Sequence, residues 1–295
     1  MKRKYFFLAA IVFSLQTFAQ QTMVYHDPNE DYNKAMELFS HEKYGSAKKH
    51  FTDFINEKNN DTKNDELLLI NAYYYQAVCA RELDEPDAEK LFIDLTNNYE
   101  ENPVTRLAYY QLGNIYYNQK KYDKEIEYYT KVDESDLSQE QIDEFKFQFG
   151  YAYFSKQKYQ QAKNYLAAVK DVDKKYYFPA NYYYGFICYL DKHYEDALTS
   201  FQRISNSPLY KSTAPYYIAQ ILYLQKKYAD VIKLADAMGE KIETPDVLYK
   251  NEMKQLIGKS YFNLQQYDKA LPFLTAYYNN LNKTIYSDIY QIAFC

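Results

Sequence analysis

Cysteine, histidine and glycine are scarce in this 295-residue chain, with three, four and six copies, and each shortage removes a class of chemistry. The histidines, His26, His41, His50 and His193, have no partner at metal-ligand spacing, and no HExxH pair occurs. A metal site is therefore not expected. The glycines are dispersed, which leaves no phosphate-cradling loop, and there is neither a GxSxG elbow nor a cysteine–histidine pair around a reactive thiol. Paired carboxylates do occur, as Asp133 with Glu134 and Asp143 with Glu144, but in helix-start segments where the helix dipole accounts for them. No catalytic residue and no cofactor are expected, so the chain does not read as an enzyme. Long apolar runs are missing as well. Past the first residues nothing approaches the roughly 20 consecutive apolar positions of a spanning helix, and no transmembrane segment is expected.

The exception is the start. Lys2, Arg3 and Lys4 precede an apolar stretch from Tyr5 to Leu15, then Thr17 and Ala19, the pattern of a secretory signal peptide over residues 1–19. Residues 20–295 would then form the exported body, periplasmic or peripherally associated with the outer membrane. No cysteine lies near the cleavage region, the nearest being Cys79, so lipid attachment of the bacterial lipoprotein kind has no acceptor. Without Lys2, Arg3 and Lys4 the 35 basic residues become 32 against 40 acidic ones, a formal charge of 32 − 40 = −8. That balance argues against nucleic acid as a partner.

What the chain does have is a period. Ala35, Ala77, Gly113, Gly150, Gly185, Ala219, Gly258 and Ala293 follow one another at gaps of 42, 36, 37, 35, 34, 39 and 35, the spacing of stacked helical hairpins. A tyrosine comes nine residues after each of the four glycines, at Tyr122, Tyr159, Tyr194 and Tyr267, and three residues later stand Glu125, Ala162, Ala197 and Ala270. Two small residues let paired helices cross closely; Gly185 with Ala197 is one such pair. Tyr184, Cys188, Tyr194, Phe201 and Ile204 recur at helical intervals, an apolar stripe that one hairpin cannot bury and stacking can. Polar tips separate the helices, and Pro103, Pro208 and Pro245 fall between repeats. The polar stretch from Asn56 to Asp65 reads as a longer loop, the tip at Glu82 to Asp87 as one residue short, and Pro272 as a bend in its helix. Cys79 and Cys188 sit three repeats apart, too far to pair. Ile289 to Cys295 repeats the first half of a hairpin, so the natural chain is expected to continue.

With Tyr109, Leu112, Gly113, Tyr116, Tyr122, Tyr129 and Val132 in register, the chain resembles the tetratricopeptide repeat family over residues 28 to 295. The resemblance implies an all-α superhelical solenoid of about seven hairpins plus a partial eighth. It also implies a concave groove lined by the first helix of each repeat. The positions three before, one after and four after the anchors would face that groove: Tyr110, Asn114 and Tyr117; Phe147, Tyr151 and Phe154; Tyr182, Phe186 and Tyr189; Tyr216, Gln220 and Tyr223; and Phe262. Tyr110, Phe147, Tyr182 and Tyr216 are favoured as contact residues. The family's clamp for a terminal carboxylate uses lysines where this chain has aromatics, so that mode is not expected. The reading is a non-catalytic scaffold of the bacterial envelope that holds a protein or peptide segment in an aromatic groove. A glycan-binding protein or a component like the outer-membrane assembly factors is the alternative, the lipoprotein assembly factor itself being disfavoured by the missing lipid-acceptor cysteine.

Overall fold

A computed structural model describes residues 27–58, 66–99, 102–172, 175–239, 242, 249–280 and 286–295. The signal segment, His26, Pro245 and residues 59–65 of the expected long loop lie outside that range. Among the described residues the chain forms fifteen α-helices and no strand. Seven hairpins follow in order: α1 (Glu30–Ser40) with α2 (Tyr44–Lys58), α3 (Glu66–Glu82) with α4 (Ala88–Asn98), α5 (Pro103–Asn118) with α6 (Tyr122–Tyr129), α7 (Gln139–Ser155) with α8 (Tyr159–Val169), α9 (Tyr177–Leu190) with α10 (Tyr194–Ile204), α11 (Ala214–Leu224) with α12 (Tyr228–Met238) and α13 (Lys250–Asn263) with α14 (Tyr267–Tyr278). Helix α15 (Tyr286–Phe294) packs on α14 as a lone half-repeat. This is the expected solenoid of seven hairpins and a partial eighth.

The glycines work through what they omit. A Cβ on Gly113 would lie 2.0 Å from the Tyr129 ring, one on Gly150 2.9 Å from Leu166, one on Gly185 3.0 Å from Ser200 and 3.4 Å from Phe201, and one on Gly258 2.8 Å from Leu274. Tyr129, Leu166, Phe201 and Leu274 all stand sixteen residues past their anchor, so one side chain of the second helix drops into the notch left by the first. The opposing small position is filled by Ala47, Ala88, Ala162, Ala197, Val231 and Ala270, all buried, and in the third repeat by Glu125.

Hairpin tips follow one rule. Seven residues after each anchor the backbone turns left-handed, at Glu42, Asp84, Lys120, Gln157, Lys192, Lys226 and Gln265, with φ between 53° and 61°. The next N–H then reaches back to a carbonyl of the last helical turn, as in His193 to Cys188 at 2.8 Å and Lys227 to Leu222 at 2.8 Å, a Schellman closure. The second repeat keeps this tip, with Glu85 N–H on the Ala80 carbonyl at 2.9 Å. Its missing residue lies beyond the tip, where Ala88 comes eleven positions after Ala77 instead of twelve. None of the seven tip residues is glycine, although glycine alone adopts this conformation without a Cβ penalty. Lys192→Gly is therefore expected to stabilise the chain by up to about 1 kcal/mol, read as a rise in Tm.

Other expectations are settled locally. Cys79 and Cys188 are buried and unpaired, in separate core clusters. Asn56 belongs to α2, and α14 runs through Pro272. His41 bonds the Glu37 carbonyl at 2.7 Å and His50 the Asp31 carboxylate at 2.8 Å. No helix among the described residues is long and apolar enough to cross a membrane.

Candidate functional site

First helices touch the first helix of the next repeat, α3 with α5, α5 with α7, α7 with α9 and α11 with α13, while second helices make no comparable contact with one another. The first helices thus form the close-packed layer, and the second helices fan outside it. Side chains three before, one after and four after each anchor share one side of that inner layer.

The thirteen residues expected to line a groove separate into two depths. Tyr110, Asn114 and Phe147 are buried, at 2, 8 and 6% exposure. Tyr117, Tyr151, Phe154, Tyr182, Phe186, Tyr189, Tyr216, Gln220, Tyr223 and Phe262 are half-buried. Tyr110 stacks on Tyr129 at 6.3 Å, and its hydroxyl donates to Glu144 at 2.7 Å. Asn114 Oδ1 accepts from the Tyr129 hydroxyl at 2.6 Å. Phe147 lies under the ring of Tyr176 at 4.7 Å. The preference for Tyr110 and Phe147 as contact residues is thereby corrected: both are floor, covered by a neighbouring repeat.

Tyr176 belongs to a series that sequence reading missed. Phe147, Tyr182 and Tyr216 are each capped by a near-parallel ring from the next repeat, Tyr176 at 4.7 Å, Tyr210 at 4.8 Å and Tyr249 at 4.5 Å. All three caps stand nine residues before an anchor, so the signal is present in the sequence as a tyrosine at that offset. Tyr249 is held there by left-handed backbone, φ 64°. Tyr183 and Tyr217, one position beyond the expected face, complete the lining. Tyr151 meets Tyr183 at 5.0 Å, Phe154 meets Tyr183 at 4.8 Å and Phe186 at 5.8 Å, and Phe186 meets Tyr217 at 5.8 Å. Rings therefore run without a break from Tyr117 on α5, which meets Tyr151 at 6.0 Å, to Tyr249 before α13, which meets Tyr217 at 6.2 Å. Offset and edge-on contacts of this kind favour the array beyond its buried area.

At the α7 end this surface turns acidic. A cleft of about 500 Å³ is lined by Glu140, Asp143, Glu144, Lys175 and Tyr176. Only Glu140 lies in the first turn of α7, whose Ser138 and Gln141 form a capping box, so the helix dipole does not account for Asp143 and Glu144 as expected. Glu144 accepts from Tyr110 at 2.7 Å, Tyr176 at 3.1 Å and Gln148 at 3.1 Å. Burial, and next to it the Glu144 charge, holds the Tyr176 hydroxyl well above the ordinary tyrosine range, so it stays a donor to that carboxylate.

Glu125 is the other acidic feature. It is 0% exposed and neither carboxyl oxygen has a hydrogen-bond partner, and burial pushes its pKa up to about 9. The folded chain therefore keeps this proton through neutral pH while the unfolded chain gives it up near the usual carboxylate value. Its linked contribution is fully present in acid and is lost as pH rises toward 9, at about 1.4 kcal/mol per pH unit. Glu125→Gln, which cannot ionise, should flatten the decline of stability from about pH 5 to about pH 8, measured by urea unfolding across that range.

Residues 107–139 and 143–176 match a family model described as the tetratricopeptide repeat; these are essentially the α5–α6 and α7–α8 hairpins. No curated protein matches the chain. Among solved structures, YrrB, described as a TPR protein with an unusual peptide-binding site, is 15% identical over 64% of this chain and 91% of its own, with a TM-score of 0.50. The structure of Naa15/Naa10 bound to HypK-THB is 11% identical, covers 90% of this chain and 38% of its own, and has a TM-score of 0.53. A tetratricopeptide repeat protein from Parabacteroides merdae is 11% identical over 90% and 97% of the two chains, TM-score 0.46. The architecture is that of a helical-repeat solenoid, in which each repeat packs on its neighbours. Two of the seven hairpins thus match the tetratricopeptide repeat model, and the chain as a whole has the fold of such repeats.

Proposed function

We propose that this protein is a non-catalytic scaffold exported to the bacterial cell envelope, and that the ring-lined side of α5, α7, α9 and α11 holds an extended or helical segment of a partner protein. The observation that carries the reading is the unbroken run of rings across four repeats, from half-buried Tyr117, Tyr151, Phe154, Tyr183 and Phe186 through buried Tyr217 to exposed Tyr249. Tyrosine offers a large stiff surface and a hydroxyl at low ordering cost, which suits recognition of a protein chain. YrrB carries a peptide-binding site on the same fold, which is consistent. Export is supported by the opening residues, Lys2 to Ala19, and the acidic balance of the mature chain disfavours nucleic acid as ligand.

Two measurements test it. The mass of the protein recovered from the envelope fraction should correspond to a chain starting near residue 20; a full-length mass would contradict export by cleavage. Tyr182→Ala combined with Tyr216→Ala removes rings whose stacked neighbours, Tyr210 and Tyr249, remain in place. The double variant should still unfold cooperatively while partner capture falls at least about tenfold, the effect of losing two aromatic anchors. A variant that no longer folds would make those rings core.

A further inference from the structure

We propose that Glu125 is the floor of a binding site for a primary ammonium group, the end of a lysine side chain on the partner segment, entering between the rings of Tyr117, Tyr122 and Tyr151. The inference rests on the reading that this side of the solenoid receives a protein segment, and it names one side chain which that segment carries.

Packing alone does not call for a carboxyl here. The same position holds alanine in five other repeats, Ala47, Ala88, Ala162, Ala197 and Ala270, and valine in one, Val231. Each is buried against its first helix, so a small side chain satisfies the crossing. Glu125 brings two polar oxygens into the same enclosure, and both are left without a partner. A buried, unpaired polar group is costly and calls for a reason, such as an ion or ligand that completes it.

The surroundings specify which ligand. The ring of Tyr117 on α5 stands 6.0 Å from that of Tyr151 on α7 at 75°, and the ring of Tyr122 at the start of α6 stands 5.7 Å from Tyr151 at 79°. Tyr151 is thus crossed nearly at right angles by two rings. All three are half-buried, at the surface where the ring-lined side meets the α5–α6 hairpin. The Tyr117 and Tyr122 hydroxyls are pushed up chiefly by burial and in part by the Glu125 carboxyl, which places that carboxyl within electrostatic reach of both. The titratable groups that feel its charge are Tyr117 from α5 and Tyr122 and Tyr129 from α6; from α7, Tyr151 borders Tyr117 and Tyr122, and Glu144 acts on Tyr117 and Tyr129. The nearby lysines of its own helix and tip, Lys121 and Lys124, lie over Tyr116 instead. Burial is the sole cause of the raised Glu125 pKa, so no cation of the chain answers it among the described residues.

Tyrosine faces attract cations, and a desolvated carboxylate completes the attraction. One carboxyl is too few for a protein-bound metal. A lysine ends in a compact charge on a thin apolar stem, which suits entry between rings. Entry of R–NH₃⁺ pairs it with the Glu125 carboxylate, and the carboxyl proton leaves to solvent, so charge balances within the pocket.

That exchange gives the test its signature. The full chain, with 3-fluorotyrosine in place of tyrosine, is titrated with n-butylammonium chloride at constant ionic strength and followed by ¹⁹F NMR. The resonances of Tyr117, Tyr122 and Tyr151 should shift, and affinity should rise about tenfold per pH unit from about pH 6 to about pH 8, because each bound amine displaces one proton. Glu125→Gln should bind at least about tenfold more weakly and lose the pH dependence. Glu125→Ala, the residue of five sister repeats, serves as the second variant if glutamine does not fold. Unchanged resonances at pH 8, or equal affinity in wild type and variants, would overturn the site and leave Glu125 a structural residue. The titration needs no partner protein, so its failure remains separable from failure of the groove to hold a segment.

Discussion

Tyr129→Ala is expected to destabilise the protein by about 3–5 kcal/mol, the range for removing a large aromatic from a core. Tyr129 is 1% exposed. Its ring meets Phe145 at 5.0 Å and Phe149 at 5.4 Å edge-on and lies parallel to Tyr110 at 6.3 Å. Its hydroxyl donates to Asn114 at 2.6 Å and is also bonded to Gln148. Truncation opens a cavity between the third and fourth repeats and removes the one hydroxyl proton shared by the buried Asn114 and Gln148 amide oxygens, which adds to the loss. Tyr129→Phe separates the two contributions, since it keeps the ring and should cost only about 1–3 kcal/mol. Urea unfolding of both variants reads the difference. A loss under about 1 kcal/mol for the alanine variant would mean that the ring does not join the two repeats.

Gly113→Ala is the second large effect, and its sign depends on Tyr129. In an exposed helix interior alanine is better than glycine by about 1 kcal/mol. Here the added Cβ would stand 2.0 Å from one carbon of the Tyr129 ring and 2.2 Å from another. That ring is pinned by Phe145, Phe149 and two hydrogen bonds and cannot swing away, so overpacking of about 1–3 kcal/mol outweighs the propensity gain. In a Tyr129→Ala background the obstruction is gone, and the same substitution should become neutral or stabilising. A double-mutant cycle measures the reversal. Additive effects would place Gly113 and Tyr129 apart and refute the hairpin register.

The period, the tips and the close crossings were legible because each is fixed inside a single hairpin. Gly113 and Tyr122, or Gly185 and Ala197, are neighbours in sequence and report a local geometry that repeats. The depth of the ring-lined positions was not legible for the opposite reason. Tyr110 and Tyr182 occupy the same offset, yet one is buried and the other half-buried, because exposure depends on what the next repeat lays across the ring. Tyr110 is covered where its hydroxyl meets Glu144, whereas Tyr182 is capped on one face by Tyr210. Such contacts depend on the rotation between repeats, which no single period encodes. The role of Glu144 was hidden likewise, since its bonds come from α5 and from the turn before α9.

The central claim, that the ring-lined side of the first helices holds a partner protein, is tested most directly by site-specific photo-crosslinking in living cells. A photoreactive residue replaces Tyr189, which lies among Phe186, Tyr194 and Tyr217 on that side. A control replaces Lys233 on α12, whose side chain is 77% exposed among the outer helices. The account predicts a discrete protein adduct from position 189 and none from position 233, with mass spectrometry naming the partner. Adducts confined to position 233, or no protein adduct at position 189, would contradict it.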